Sequence, residues 1–293
     1  MSAGRFAPSP SGDLHIGNLR TALLAWLWAR HSERGFLLRI EDLDRVRPGA
    51  EAKQLADLRA IGLTWDEEPV RQSARHALYD SAISGLVRAG RVYECFCSRR
   101  EILQAPTAPH SPPGAYPGTC RELTTAQRSE RRRHRPAALR LRSHVATFVV
   151  RDEIHGEFEG AVDDFVLRRG DGVPSYNLAV VVDDADQGID QVVRGDDLLA
   201  SAPRQAYLAG LLGAAVPQYV HVPLALNAAG RRLAKRDGAV TLEQLRSHGV
   251  DVFGLLAESW GLRGASPHEL LRSFNPTVRP VGPWVFAPPA SAR

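Results

Sequence analysis

Residues 8–18 contain the side chains best suited to chemistry near the start of the chain. They form a loop rich in proline, serine and glycine that opens into a helical pattern. Backbone N–H groups and the positive end of a helix dipole favour an anion at such a position. Gly12 and Gly17 let a ligand approach the backbone, and His15 adds a donor for phosphate oxygens. The segment alone is equally compatible with a phosphate site and with a structural loop in which His15 caps the helix.

A second phosphate-binding element is indicated near Lys235. Only two of the 37 Lys and Arg residues are lysines, Lys53 and Lys235, which fits a genome biased toward arginine codons. A mobile cation can stabilise the negative charge that develops on a leaving pyrophosphate. The alternative for Lys235 is a solvated surface lysine, and this is the expectation for Lys53.

Arginine and glutamate side chains point to a charged ligand. A carboxylate is best held by the planar guanidinium of arginine, and an ammonium group needs a carboxylate. Glu41 and Arg194 come at the ends of apolar strands, where ligands gather in parallel α/β sheets. In a chain so rich in arginine, a single arginine is more simply explained as a surface charge. The interpretation of Glu41 and Arg194 as ligand-binding residues therefore depends on their positions at the strand ends.

All three cysteines, at positions 95, 97 and 120, lie close together in the chain. A Cys-x-Cys pair followed by a third cysteine indicates a structural zinc site, which needs a fourth ligand. Chemistry alone nominates His110 in the intervening loop. The alternative is a group of buried thiols without a metal ion. Three cysteines are an odd number and too few for a disulfide framework.

The elements that position these residues follow a β-loop-α-β order. The sequence predicts strands at 4–7, 36–40, 92–96, 138–142, 146–152, 176–183 and 219–226. It predicts helices at 15–31, 50–61, 74–89, 202–212 and after 241. The near-continuous apolar run 176–183 is typical of a buried parallel strand. Residues 97–135, with clustered prolines and a basic run at 128–135, are interpreted as an insertion. The order predicts an α/β fold with a Rossmann-like, doubly wound parallel sheet.

Composition sets broad limits on the class of protein. The 293 residues are 44% apolar, enough for one large core or two modest ones. No apolar run of about 18 residues is present, and the N-terminus has no apolar signal region. A cytoplasmic protein with no membrane contact is the simplest expectation. The net charge of +4 permits a polyanionic partner without requiring one.

Several motifs resemble the class I aminoacyl-tRNA synthetases. Residues 15–18, His-Ile-Gly-Asn, resemble the HIGH signature, with Asn18 where that signature ends in histidine. Residues 5–12, 39–44, 176–184 and 193–199 resemble the glutamyl branch in particular. Residues 232–236 stand where the family has its KMSKS loop, and only Lys235 matches strictly. The resemblance runs from about residue 4 to 240.

The resemblance implies ATP, with Mg²⁺ on its phosphates, and L-glutamate as substrates. It implies glutamate contacts from Arg5, Phe6, Ala7, Pro8, Ser9, Glu41, Tyr176 and Arg194, with Glu41 receiving the ammonium group. It implies ATP contacts from His15, Gly17, Asn18 and Lys235, of which His15 and Lys235 act in catalysis. One structural Zn²⁺ is implied at Cys95, Cys97, Tyr116 and Cys120, because glutamyl-Q tRNA(Asp) synthetases carry tyrosine as fourth ligand; His110 stays the alternative.

The short stretch after Lys235 bears on the acceptor. A full glutamyl-tRNA synthetase continues into helical anticodon-binding domains, for which about 55 residues are too few. The resemblance is therefore to the glutamyl-Q tRNA(Asp) synthetases, which transfer glutamate to queuosine in the anticodon loop of tRNA(Asp). Alternatives are a truncated glutamyl-tRNA synthetase that charges a tRNA 3′ end, and a catalytically silent RNA-binding paralogue. The expected protein is a monomer.

Four domain ranges follow from these motifs. Residues 1–97 are expected to form the first half of the catalytic domain. Residues 98–170 are expected to form the inserted zinc-containing α/β subdomain. Residues 171–240 are expected to complete the catalytic domain, and residues 241–293 to form a short helical C-terminal region. The basic run 128–135 is either a set of RNA phosphate contacts or a solvated helix face.

Overall fold

The computed structural model describes residues 2–104, 115–233, 240–278 and 282–287. Its strands are β1 Ala3–Phe6, β2 Gly35–Ile40, β3 Val70–Arg71, β4 Val92–Cys95, β5 Ala138–Leu141, β6 Thr147–Asp152, β7 Gly156–Ala161, β8 Val166–Arg168, β9 Ile189–Gly195, β10 Gln218–Val222, β11 Ala225–Leu226 and β12 Trp284–Val285. Its helices are α1 Ile16–His31, α2 Ala50–Ala60, α3 His76–Arg88, α4 Arg99–Gln104, α5 Thr125–Arg132, α6 Tyr176–Asp186, α7 Ala202–Leu211, α8 Leu242–Ser247, α9 Val252–Glu258 and α10 Pro267–Ser273.

The chain divides into two compact units. The first contains residues 1–71, 188–199 and 218–293, and the second contains residues 72–187 and 200–217. These units are drawn differently from the four predicted domain ranges, which remain predictions. In the part of the chain that the structure describes, no helix has the length and apolar character needed to span a membrane.

The first unit is built on a parallel sheet with the strand order β3-β2-β1-β9-β10. Helix α1 packs against β1 and β9 and also contacts α9 and α10. It is buried on nearly all sides because it lies between sheet and helices, and Trp28 stacks edge-on against Trp260 and Phe274. The predicted parallel, Rossmann-like sheet is confirmed in this unit.

The second unit contains antiparallel sheets. Strands β4, β5 and β8 form one, and β6 and β7 form a hairpin. The prediction that residues 92–96 continue the parallel sheet is therefore wrong, because β4 pairs antiparallel with β5. Local patterns identified the strand, but strand direction depends on a partner more than forty residues away in the chain.

Residues 176–183 form helix α6, so the predicted strand is wrong. Ser175 caps the helix by accepting the N–H of Leu178 through its side chain. The helix packs against α3, α7 and β8, and it is buried along most of its length. A continuous apolar run indicates a buried segment, but a buried strand and a buried helix cannot be distinguished from it.

The predicted strand 219–226 is two shorter strands, β10 and β11. Pro223 lies between them and cannot donate to a strand ladder. Strand β11 pairs with β12 instead of continuing the larger sheet. This change of direction brings residues after Pro223 to the start of α1, as described below.

Candidate active site

The loop between β1 and α1 begins with the predicted glutamate-binding residues. Phe6 ends β1, and Ala7, Pro8 and Ser9 follow it. Pro8 and Pro10 have no N–H groups, so the segment cannot continue as an ordinary strand. Their carbonyl oxygens accept the N–H groups of Glu41 and Arg47, at 3.0 Å and 2.9 Å respectively. These bonds hold the loop beside the end of β2 and bring Glu41 next to it.

His15 caps helix α1 through a reciprocal pair of hydrogen bonds. Its Nδ1 atom accepts the N–H of Asn18 at 3.3 Å, and Asn18 Oδ1 accepts the N–H of His15 at 3.2 Å. Because Nδ1 accepts, the proton of the neutral ring lies on Nε2, which is therefore a hydrogen-bond donor. A Cβ atom on Gly17 would lie 3.1 Å from this ring, so glycine makes room for it. Capping and phosphate binding are thus compatible roles for His15.

Two arginines and one carboxylate lie on adjacent strands of the first unit. Arg5 on β1 and Arg194 on β9 are 4% and 5% exposed, and Glu41 follows the last residue of β2. Strand β1 pairs with both β2 and β9, so the three residues come from neighbouring strands. Arg5 Nη1 donates to the carbonyl of Val193 on β9 at 3.5 Å. Two guanidinium groups and one carboxylate match an amino acid with two negative groups and one positive group.

His221 was missed by the sequence reasoning. Arg194 donates from Nε to His221 Nε2 at 3.0 Å, and the two residues lie directly across from each other in the β9–β10 ladder. The imidazole is fully buried and stacks on the ring of Tyr219. Arg194 Nη2 also donates to Leu198 O at 3.3 Å. These bonds orient the guanidinium, and only strand register reveals them.

The three cysteines and Tyr116 converge in the second unit. The three sulfur atoms lie within 4.8 Å of one another, and Cys97 Sγ is 3.6 Å from Cys120 Sγ. Tyr116 Oη is 3.3 Å from Cys95 Sγ and 3.7 Å from Cys97 Sγ. Tetrahedral zinc with Zn–S bonds of about 2.3 Å places two sulfurs about 3.8 Å apart, so the four atoms have suitable spacing. His110 lies outside the described residues.

Burial opposes the charged forms of Cys97 and Tyr116. It raises the pKa of the Cys97 thiol to about 12 and raises the pKa of the Tyr116 phenol above its ordinary value. The Arg140 guanidinium lies over the Tyr116 ring, 3.7 Å from its centre, and Arg131 donates to Cys120 Sγ at 3.5 Å. The donor set and its neighbouring cations fit a bound metal ion.

Comparison with known proteins identifies the family. A model of the catalytic domain of class I tRNA synthetases (E and Q) matches residues 3–277. The chain belongs to this class I tRNA synthetase family. A glutamyl-Q tRNA(Asp) synthetase of Nocardia farcinica is 65% identical over 97% of this chain and 93% of its own length. One of Cutibacterium acnes is 53% identical over 93% of this chain and 80% of its own length.

A solved structure supports the same relationship. The glutamate tRNA ligase of Elizabethkingia meningosepticum, in complex with its amino acid, matches with a TM-score of 0.80 and 26% identity. The match covers all of this chain and 68% of the ligase. The synthetase therefore shares the fold of that ligase, including the parallel sheet predicted from the sequence.

Lys235 of the synthetase lies in segment 234–239, outside the described residues, but both flanks of that segment are described. Leu233 donates its N–H to Ala225 O at 3.0 Å, and Ile16 donates its N–H to Val240 O at 3.2 Å. The Cβ atom of Ala225 is 3.3 Å from where a Cβ on Gly17 would lie. The two residues that flank the segment, Leu233 and Val240, are thus held near the first turn of α1.

Tyr176 lies in the second unit of the synthetase, as the first residue of α6, and is 40% exposed. The other end of this helix is held by Asp183, whose side chain is fully buried. That carboxylate accepts hydrogen bonds from Gln72 at 2.8 Å, from Arg75 at 2.6 Å and from Tyr79 at 2.9 Å. Three donors therefore fix the helix that bears Tyr176.

The basic run 128–135 of the synthetase contains arginines that already have partners within their own unit. Arg132 contacts Glu94 at 2.6 Å, Arg133 contacts Glu130 at 2.9 Å, and Arg135 contacts Glu101 at 3.2 Å. Arg131 donates to Cys120, as noted above. An RNA phosphate that bound these arginines would compete with the carboxylates.

Proposed function

We propose that this synthetase activates L-glutamate with ATP, without needing tRNA, and transfers the glutamate to the queuosine base of tRNA(Asp). The observation that carries the proposal is the arrangement of Arg5 on β1, Arg194 on β9 and Glu41 directly after β2, three adjacent strands of the first unit. The relatives named glutamyl-Q tRNA(Asp) synthetase, up to 65% identical over nearly the whole chain, support the acceptor. Tyr176 is a further glutamate contact that rests on the family resemblance alone.

In the first step, an oxygen of the glutamate α-carboxylate attacks the α-phosphorus of ATP. A new P–O bond forms, the bond to the β-phosphate oxygen breaks, and pyrophosphate leaves with the bonding electrons. His15 Nε2 and Lys235 would donate to the phosphates, and Mg²⁺ would bind the phosphate oxygens. Positioning and charge neutralisation account for the catalysis, and no protein base is required because the nucleophile is already an anion.

In the second step, a hydroxyl of the queuosine cyclopentenediol attacks the carbonyl carbon of glutamyl-adenylate. An ester forms, the bond to the AMP phosphate oxygen breaks, and AMP leaves. The hydroxyl proton is lost during the attack, and the AMP phosphate is an available acceptor. This route needs no further protein nucleophile.

We also propose one structural zinc ion, bound by Cys95, Cys97, Cys120 and Tyr116. The spacing of the four donor atoms supports it, and the cations Arg131 and Arg140 offset the negative charge of the ligands. When bound, the ion would hold the end of β4 and Cys97 together with residues 116–120. It takes no part in the reaction.

Two assays test the function. Glutamate-dependent exchange between ATP and pyrophosphate, without tRNA, tests activation, and labelled glutamate transfer to tRNA(Asp) with and without queuosine tests the acceptor. We expect exchange without tRNA and transfer only to the queuosine-containing tRNA, even after removal of its 3′-terminal adenosine. Transfer to queuosine-free tRNA that needs the 3′ end would instead establish an ordinary glutamyl-tRNA synthetase. No exchange under any condition would favour the silent RNA-binding paralogue.

A further inference from the structure

Helix α2 holds the loop before α1 through one buried amide. Gln54 Nε2 donates to the carbonyl oxygens of Ser9 at 3.0 Å and of Gly12 at 2.6 Å. Gln54 is only 2% exposed and lies on the buried face of α2. One nitrogen atom therefore bridges the two ends of the turn at residues 9–12.

The turn at residues 9–12 contains a glycine, whose backbone is less restricted than that of other residues. Hydrogen bonds from other segments therefore help to fix its conformation. Gly12 has a φ of 140°, a region that other L-residues rarely adopt. Within the turn, Ser11 donates its N–H to Ser9 O at 2.8 Å. The carbonyls of Pro8 and Pro10 accept from the segment after β2, and those of Ser9 and Gly12 accept from Gln54 on α2. The loop is thus held from two sides.

The amide group suits this task chemically. A glutamine nitrogen carries two donor hydrogens, one for each carbonyl. The buried Oε1 atom of Gln54 has no hydrogen-bond partner among the described residues, so the donor bonds set the orientation of the amide. Replacing Gln54 by glutamate would keep the shape of the side chain. It would place a carboxylate oxygen, which accepts hydrogen bonds, against the two carbonyl oxygens, which also accept them.

Lys53, the neighbour of Gln54 on α2, contributes less to holding the loop. Lys53 Nζ lies 3.2 Å from Asp13 Oδ2 and 2.9 Å from Glu243 Oε2, but its side chain is 39% exposed. Exposed ion pairs are weak because water and salt screen them. Gln54, which is buried and bonds directly to the loop backbone, is the stronger attachment.

We propose that Gln54 is a positioning residue of the active site, which sets the loop between the amino-acid site and the ATP site. Ser9 is a proposed glutamate contact, and the loop leads directly into His15. Gln54 therefore acts on the binding of both substrates without touching either. The identity of those substrates rests on the function proposed above.

The decisive variant is Gln54→Glu, compared with the wild type in glutamate-dependent ATP–pyrophosphate exchange. We expect KM for glutamate and KM for ATP both to rise by about 10- to 100-fold, which corresponds to about 1.4–2.8 kcal/mol of lost binding free energy for each substrate. Partial unfolding alone would lower the active fraction and hence the apparent kcat, with both KM values unchanged. Hydrogen–deuterium exchange of residues 8–14, measured in the ligand-free protein, is expected to accelerate.

Gln191→Glu is the matched control. Gln191 is a buried glutamine on β9 that donates to Ser32 and Gln218, away from this loop. It should lose stability from the buried carboxylate but keep both KM values and the wild-type exchange rate in residues 8–14. If Gln54→Glu does not fold, Gln54→Met removes the donors without adding charge and takes its place.

Two outcomes overturn the proposal: KM values within twofold of the wild type, or unchanged hydrogen exchange at residues 8–14. Absence of glutamate-dependent exchange in the wild-type enzyme would count against the proposed function instead. In that case the hydrogen-exchange measurement alone decides whether Gln54 fixes the loop, because it needs no substrate.

Discussion

The Nδ1 atom of His15 accepts the backbone N–H of Asn18 at 3.3 Å, and this bond leaves the ring proton on Nε2. The first predicted consequence concerns His15→Asn. An asparagine at the N-cap keeps a side-chain acceptor for the helix, so stability should stay within about 0.5 kcal/mol of the wild type. The variant lacks the Nε2 donor, so kcat for ATP–pyrophosphate exchange should fall by about 10²- to 10³-fold.

His15→Ala is the comparison for that prediction. It loses the cap as well as the donor and should be less stable by about 1 kcal/mol. Equilibrium urea unfolding and exchange kinetics measure the two effects separately. Wild-type kcat in His15→Asn would show that His15 serves only as a cap.

Arg194 and His221 are predicted to act as a pair on glutamate. His221→Leu removes the acceptor for Arg194 Nε, and KM for glutamate should rise about tenfold, with KM for ATP nearly unchanged. His221→Gln offers a carbonyl acceptor and should recover part of the affinity. Exchange kinetics at varied glutamate and ATP provide the measurement, and equal effects on both substrates would contradict this role.

The proposed zinc site predicts that Tyr116→Phe purifies with much less zinc than the wild type. His110→Ala should keep its zinc, since Tyr116 supplies the fourth donor in this proposal. Tyr93→Phe is the matched control, because it removes a buried phenol that bonds to Asp164 and not to the thiols. Elemental analysis decides the question, and loss of zinc in His110→Ala with full zinc in Tyr116→Phe would reverse the assignment.

Arg20 is predicted to matter for stability. It is 1% exposed, donates to Pro223 O and to Ser259, and lies near the rings of Trp260 and Trp284. Burial lowers the pKa of its guanidinium to about 10, so the group stays charged at neutral pH. Arg20→Met should destabilise the protein by about 2–4 kcal/mol, because the buried acceptors lose their donor.

Arg30→Met is the control for Arg20, since Arg30 pairs with the half-exposed Asp66. We expect a smaller loss of about 1 kcal/mol, at the upper end for exposed ion pairs because the two groups form two hydrogen bonds. Urea unfolding of the two variants and the wild type at pH 7 measures the difference. Equal destabilisation by both substitutions would show that the buried contacts of Arg20 contribute little.

The sequence by itself identified the residue types and their order in the chain. The loop before α1, the helix that follows it and the strands that bear Arg5 and Arg194 could be recognised because they depend on local spacing and on turn residues. The Cys-x-Cys pair could be recognised for the same reason. The motifs also indicated the synthetase family, which the comparisons confirm.

Only the tertiary structure decided which residues meet. Residues 176–183 form a helix in which residues 178–183 are all buried, and an apolar run does not reveal its period when consecutive residues are all buried. His221 orients Arg194 through strand register, and Gln54 reaches the loop from a helix more than forty residues further along the chain. Such contacts depend on how distant segments pack, and the local pattern of side chains does not encode that packing.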